Sequence, residues 1–144
     1  MDEARTPQAL ISAEAEMEVP FQDVDAMQVA WHGNYFRYFE AARAKLFRSI
    51  DYDYPRMRAT GHMWPIVDLR VRFVQPLRYA QRIRITAGLT EWENRMKIIY
   101  LIEDAESGRK LATGWTVQCA VDINTGELQL VSPPALLERL KSYL

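Results

Sequence analysis

After its first dozen residues the chain enters a stretch in which apolar and acidic side chains alternate. Across residues 13–21 every second residue is apolar, and three glutamates occupy positions between them. A period of two predicts a β-strand with one buried face. Pro20 indicates that this strand ends at an edge or a bulge.

Helical spacing replaces the alternation from Asn34 to about Ile50. Apolar side chains recur at intervals of three and four residues, which predicts a long helix whose buried face carries Tyr35, Tyr38, Phe39, Ala42, Leu46 and Ile50. Asn34 is suited to be its N-cap. Pro55 marks the end of the helical region, because the residue before a proline disfavours helix. The aromatic content of this face indicates burial against a sheet.

Alternation returns in the second half of the chain and predicts four more strands, at residues 66–74, 82–91, 95–103 and 110–122. The third is apolar on both faces between Ile98 and Ile102, which predicts a central position. The fourth is the longest. Turn residues such as Ser107-Gly108 separate them, and these short connections favour antiparallel neighbours. A short amphipathic helix follows Pro133-Pro134.

The order strand, long helix, four strands, short helix predicts an α+β fold. Its centre is a five-stranded antiparallel sheet wrapped around the long helix. Residues 13–144 of the 144-residue chain form one domain in this interpretation, and residues 1–12 form a flexible N-terminal tail.

The composition argues against several classes of function. A formal net charge of −1 gives no reason to expect a nucleic-acid or anionic-membrane partner. No apolar run approaches the roughly 18 residues of a membrane span, and the N-terminal residues lack the features of a signal peptide. The single cysteine excludes an intrachain disulfide, and the two histidines lack metal-ligand spacing. A cytoplasmic enzyme or binding domain is the expectation.

The junction between the first strand and the long helix carries the candidate chemistry. It reads Asp23-Val24-Asp25, then six residues, then His32-Gly33-Asn34-Tyr35, and the helix continues with Phe39-Glu40-Ala41-Ala42-Arg43. In residue types, spacing and order of elements this resembles the 4-hydroxybenzoyl-CoA thioesterase family, over about residues 13–131. The resemblance implies the hotdog fold, in which a sheet wraps a central helix. It also implies dimers, often paired into tetramers, with active sites at the dimer interface.

The resemblance assigns roles at this junction. Asp25 matches the family's catalytic carboxylate, which acts as a nucleophile or as a general base on water. His32 matches the position whose backbone N–H polarises the thioester carbonyl. Gln28, Trp31, Asn34 and Tyr35 are the expected substrate-binding residues.

Two residues near the junction differ from the family pattern. Gln28 stands where many relatives carry glycine, so it predicts either a different loop shape or an amide in the pocket. Phe21 stands where some relatives have tyrosine.

A second segment resembles the family's binding site for the phosphates of coenzyme A. It runs Glu91-Trp92-Glu93-Asn94-Arg95, and Arg95 is the expected phosphate ligand, since a guanidinium suits bidentate oxygen recognition. Glu93 stands where the family has a basic residue.

The predicted function is hydrolysis of an acyl-CoA thioester to a free acid and CoA, by a homodimer or a homotetramer built as a dimer of dimers. No cofactor or metal is expected, because coenzyme A is part of the substrate. Two alternatives share the scaffold: an acyl-carrier-protein thioesterase, and a non-catalytic binding protein. Glu40 is a rival carboxylate, whose other interpretation is a salt bridge with Arg37 or Arg43. Asp23 is either a second site carboxylate or a turn residue.

Overall fold

A computed structural model describes residues 8–144 and contains the predicted sheet. Its five antiparallel strands are β1 (Ile11–Glu18), β3 (Ile66–Phe73), β4 (Arg82–Glu91), β5 (Met96–Asp104) and β6 (Lys110–Gln118), in the order β1-β4-β5-β6-β3. Two short strands, β2 (His62–Met63) and β7 (Val121–Asp122), form a separate pair. The helices are α1 (Tyr35–Ser49), α2 (Tyr54–Ala59) and α3 (Pro134–Leu140). The α+β prediction is confirmed, and β5 is central as expected.

The first strand begins two residues before the predicted boundary. Ile11 pairs with Leu89, and the Leu10 N–H donates to the Leu89 carbonyl at 2.8 Å, so the ladder with β4 already exists there. The predicted tail therefore ends before Ile11 rather than at residue 12. Residues 1–7 of it lie outside the described residues, and there the tail stays a prediction.

Two strand ends differ from the sequence-based boundaries. β1 ends at Glu18, and Phe21 lies in a 3₁₀ turn, 73% exposed rather than on the buried face. The strand expected at 110–122 ends at Gln118, because the chain leaves the sheet at Cys119 and re-pairs as β7. β4 is consequently longer than β6.

Helix α1 packs its apolar face onto the sheet as predicted. Phe39 lies parallel to Tyr100 of β5, with the ring centroids 4.3 Å apart. Beneath Phe39 is Gly114 of β6, where a Cβ atom would collide with both the Phe39 ring and the Arg70 carbonyl oxygen. Only glycine allows the helix to come this close to the sheet.

Strand β3 forms one edge of the sheet and is exposed along nearly all its length. Large apolar side chains on it remain open to solvent, namely Ile66, Val67, Leu69 and Phe73. An edge strand presents unpaired N–H and C=O groups, which makes it a template for pairing with another chain. No helix in the described part of the chain is long and apolar enough to span a membrane.

Candidate active site

Asp25 lies in a tight turn between β1 and α1. Val24 and Ala30 form an antiparallel bridge, the Asp25 N–H donates to the Val29 carbonyl at 3.0 Å, and the Gln28 N–H donates to the Asp25 carbonyl at 2.8 Å. The Met27 N–H donates to Asp25 Oδ1 at 2.8 Å. Within residues 8–144, Asp25 Oδ2 has no hydrogen-bond partner and the residue is exposed. One carboxylate oxygen is thus held by the turn and the other is available to a reactant.

Gln28 explains how the turn closes without the family's glycine. Its φ is 63°, in the left-handed region that glycine enters freely and other residues enter at a cost of about 1–2 kcal/mol. The turn therefore has, at a glutamine, a backbone conformation that glycine adopts more readily. The two alternatives, a different loop shape and an amide in the pocket, both stay predictions. The Gln28 side chain is exposed, and its substrate-binding role stays a prediction.

The entrance of the long helix offers two free backbone donors. A 3₁₀ turn, His32–Asn34, runs directly into α1, and Trp31 before it provides no side-chain cap. The N–H groups of His32 and Gly33 have no acceptor among the described residues. Unpaired N–H groups at the positive end of a helix dipole are suited to stabilise an oxyanion.

Trp31 lies across this entrance. Its indole ring is so close to Gly33 that a Cβ atom at that position would overlap it, and the ring centroid is 5.0 Å from that of His32. Trp31 is 52% exposed and His32 is exposed. Gly33 therefore allows an aromatic surface to form beside the free donors, where a substrate would have to lie.

Asn34 and Tyr35 face inward. Asn34 has helical φ and ψ values and does not act as the predicted N-cap, because its Nδ2 donates to the Asp23 carbonyl at 3.0 Å and its Oδ1 accepts from Arg37 at 2.9 Å. Tyr35 is 3% exposed and meets Phe73 edge-on, and burial raises the pKa of its hydroxyl. Both residues support the site from beneath, and direct substrate contact by either stays a prediction.

Arg95 is not near Asp25 within one chain. The Asp25 turn lies near the start of β4, because the Ala30 N–H donates at 2.7 Å to the carbonyl of Leu77, in the segment that leads into this strand. Arg95 follows the end of the same strand. Ten strand residues separate the two ends by roughly 30 Å. Arg95 is paired with Glu91 at 3.0 Å, and the hydrogen bond to this carboxylate raises the pKa of Arg95.

Asp23 is the residue whose role sequence reasoning missed. It is 3% exposed and its carboxylate accepts from the buried Tyr38 hydroxyl at 2.7 Å. It is therefore neither an exposed site carboxylate nor a simple turn residue. The available signal was Tyr38 itself, since a hydroxyl on the buried face of a helix requires a polar partner.

Glu40, the other candidate carboxylate, forms the salt bridge with Arg43 that its alternative interpretation predicted. Glu40 is exposed, and its Oε2 lies 3.6 Å from Arg43 Nη2 at helical spacing. Arg43 is 4% exposed and also donates to the Tyr54 hydroxyl at 3.2 Å. Across residues 8–144, no group of three His, Cys, Asp or Glu side chains is arranged to hold a metal ion.

Comparisons with known sequences identify the family of this chain. The family model of the Thioesterase-like superfamily matches residues 19–140. An esterase of Synechocystis, so named only provisionally, is 29% identical over 119 residues, covering 78% of this chain and 68% of that protein. YneP of Bacillus subtilis, provisionally named an acyl-CoA thioesterase, is 27% identical over 85 residues, which are 59% of this chain and 61% of YneP.

Solved structures support the same fold. A hypothetical protein of Aquifex aeolicus has a TM-score of 0.79 and 27% identity, covering 88% of this chain and 98% of its own. The DHNA-CoA thioesterase of Staphylococcus aureus has a TM-score of 0.81 and 24% identity, covering 91% and 89%, and supports the fold alone. The prediction of a hotdog-type enzyme of the thioesterase class is confirmed at this level. The chain belongs to the Thioesterase-like superfamily.

Proposed function

We propose that this chain hydrolyses an acyl-CoA thioester to a free acid and CoA, within the narrower 4-hydroxybenzoyl-CoA thioesterase family. The observation that carries this proposal is the free Oδ2 of Asp25 in a turn that leads directly to the free N–H groups of His32 and Gly33. A carboxylate that acts as a base or nucleophile, together with an oxyanion site, can catalyse thioester hydrolysis.

The chemistry follows one of two routes at these residues. As a general base, Asp25 takes a proton from water while the water oxygen attacks the thioester carbonyl. As a nucleophile, its oxygen attacks that carbonyl and forms a mixed anhydride, which water then cleaves. In both routes the carbonyl oxygen gains negative charge beside the His32 and Gly33 N–H groups, the C–S bond breaks, and the CoA thiolate leaves and takes up a proton.

We further propose that a second copy of the chain completes the site. Pairing two β3 edges antiparallel would bury their exposed apolar side chains and reverse one copy relative to the other. That reversal moves the β4–β5 turn of the second copy, with its Arg95, to the end of the sheet where Asp25 lies. A homodimer, or a homotetramer made from two such dimers, therefore supplies a cation for the CoA phosphates.

The experiment that tests the activity is a panel of aromatic and aliphatic acyl-CoA thioesters, assayed by thiol release and compared with matched acyl-carrier-protein substrates. We expect turnover of at least one acyl-CoA, faster than that of its acyl-carrier counterpart. Faster release from the acyl carrier would favour the carrier-protein alternative. Binding of acyl-CoA without hydrolysis across the panel would favour the non-catalytic alternative.

The subunit arrangement is tested by the mass in solution, measured by light scattering. We expect a dimer or a tetramer at micromolar concentration, because β3 exposes large apolar side chains along an unpaired edge. A monomer that still hydrolyses acyl-CoA would contradict the shared site while leaving the assignment of Asp25 intact.

A further inference from the structure

A buried carboxylate links the Asp25 turn to the first turns of α1. Asp23 Oδ2 accepts from the Tyr38 hydroxyl at 2.7 Å, and Asp23 Oδ1 lies 2.6 Å from Arg37 Nη2. Asp23 is 3% exposed and Tyr38 is fully buried. A buried carboxylate is costly unless it is paired and hydrogen-bonded, so these two donors fix where Asp23 lies.

The main chain of Asp23 reaches the helix entrance as well. Its carbonyl oxygen accepts from the Trp31 N–H at 2.9 Å and from Asn34 Nδ2 at 3.0 Å. Asp25 follows Asp23 by two residues, and His32 directly follows Trp31. The Asp25 carboxylate is thus two residues from Asp23, and the free N–H groups of His32 and Gly33 follow Trp31, whose own N–H is bound by the Asp23 carbonyl.

From these contacts we propose that Asp23 and Tyr38 are positioning residues, a clamp that sets the Asp25 carboxylate against the His32 and Gly33 N–H groups. This inference rests on the proposed thioester hydrolysis. Neither side chain reaches the substrate, because both are buried beneath the turn. Their contribution is to alignment, and a displacement of about 1 Å in a catalytic group can lower turnover about a hundredfold.

The Tyr38 hydroxyl is the donor in this clamp. Burial raises the pKa of Tyr38 above its ordinary value, and the hydrogen bond to Asp23 raises it further. The hydroxyl therefore stays protonated at neutral pH, where the protein would be assayed. Tyr38→Phe removes only this hydroxyl and leaves the ring that packs in the core.

Tyr100 provides a matched control. It is 3% exposed and stacks on Phe39 of α1, but its hydroxyl is hydrogen-bonded to Thr116 Oγ1 of β6 at 2.8 Å and not to a residue of the Asp25 turn. Tyr100→Phe also deletes one buried hydroxyl and its hydrogen bond. If the Tyr38 hydroxyl is purely structural, the two variants should have the same kcat. If it positions the site, only Tyr38→Phe should lower kcat.

We expect Tyr38→Phe to lower kcat by about tenfold to a hundredfold with KM little changed, and Tyr100→Phe to keep the kcat of the wild type. Both are assayed in conditions where urea titration shows that they are folded. Asp23→Asn should lower kcat as well. The loss of kcat in the double variant Asp23→Asn/Tyr38→Phe should be less than additive, because removing the charge of Asp23 and removing the Tyr38 hydroxyl weaken the same hydrogen bond.

Hydrogen exchange of residues 24–34 supplies a measurement that does not need activity. The clamp predicts faster exchange there in Tyr38→Phe than in Tyr100→Phe. Equal exchange in the two variants would overturn the clamp, even if the wild type hydrolyses no acyl-CoA and the proposed function fails. With an active wild type, equal kcat in the two Tyr variants would overturn the positioning role, whether or not exchange differs.

Discussion

Replacing Asp25 by Asn is expected to lower kcat for the best acyl-CoA substrate by about 10²–10⁴-fold, the range typical of losing a general base. The expected loss is chemical rather than structural. The substituted amide would keep an oxygen that accepts from the Met27 N–H, so the turn should retain its shape. KM should change little, since the carboxylate acts mainly on the transition state. Steady-state kinetics measure kcat and KM, and an unfolding curve on the same preparation shows whether the variant keeps its fold.

Glu40→Gln is the control for this prediction. Glu40 is an exposed carboxylate on α1 whose contact is a salt bridge with Arg43, so its neutral isostere should keep wild-type turnover. The assignment of Asp25 would be wrong if Asp25→Asn retained wild-type rates. Loss of turnover in Glu40→Gln instead would move the catalytic carboxylate onto the helix.

Replacing Phe39 by Ala is expected to lower the free energy of unfolding by about 3–5 kcal/mol. Phe39 is 1% exposed, stacks on Tyr100 and covers Gly114, so its removal leaves a cavity between α1 and the sheet. The free energy of unfolding of a small domain is only about 5–15 kcal/mol, so this variant should lose a large part of its stability. Urea denaturation followed by circular dichroism measures the change.

A second phenylalanine tests whether the effect comes from burial. Phe21 is 73% exposed, and Phe21→Ala should change stability by no more than about 0.5 kcal/mol. If Phe39→Ala does not fold, Phe39→Leu should give a smaller, measurable loss. A Phe39→Ala variant as stable as Phe21→Ala would contradict the packing of α1 on the sheet.

The sequence predicted the parts of the fold that depend on regular burial. The bounds of β4 match the predicted range 82–91, because its alternation is clean and both neighbours are strands. The prediction was less accurate where tertiary contacts compete with local pattern. Asn34 has the side chain of an N-cap, yet it is drawn inward by the Asp23 carbonyl.

The candidate site was predictable only in its residue types. The spacing from Asp25 to His32 identified the junction, and the structure adds that one Asp25 oxygen and two N–H groups are free there. Sequence could not show that the Asp25 turn and Arg95 lie at opposite ends of the sheet, because the position of the turn depends on a tertiary contact, the hydrogen bond from the Ala30 N–H to the Leu77 carbonyl. Nor could it show that Asp23 is buried, since its partner Tyr38 is fifteen residues away.

The free donors at the helix entrance belong to the main chain, and this affects how such sites change during evolution. A backbone N–H is present whatever side chain the position carries, so substitution at position 32 need not remove the donor. We expect the path of the chain at position 32 to matter more for the donor than the identity of the side chain there. A carboxylate placed before an uncapped helix is then a better search pattern for related sites than a particular residue type at position 32.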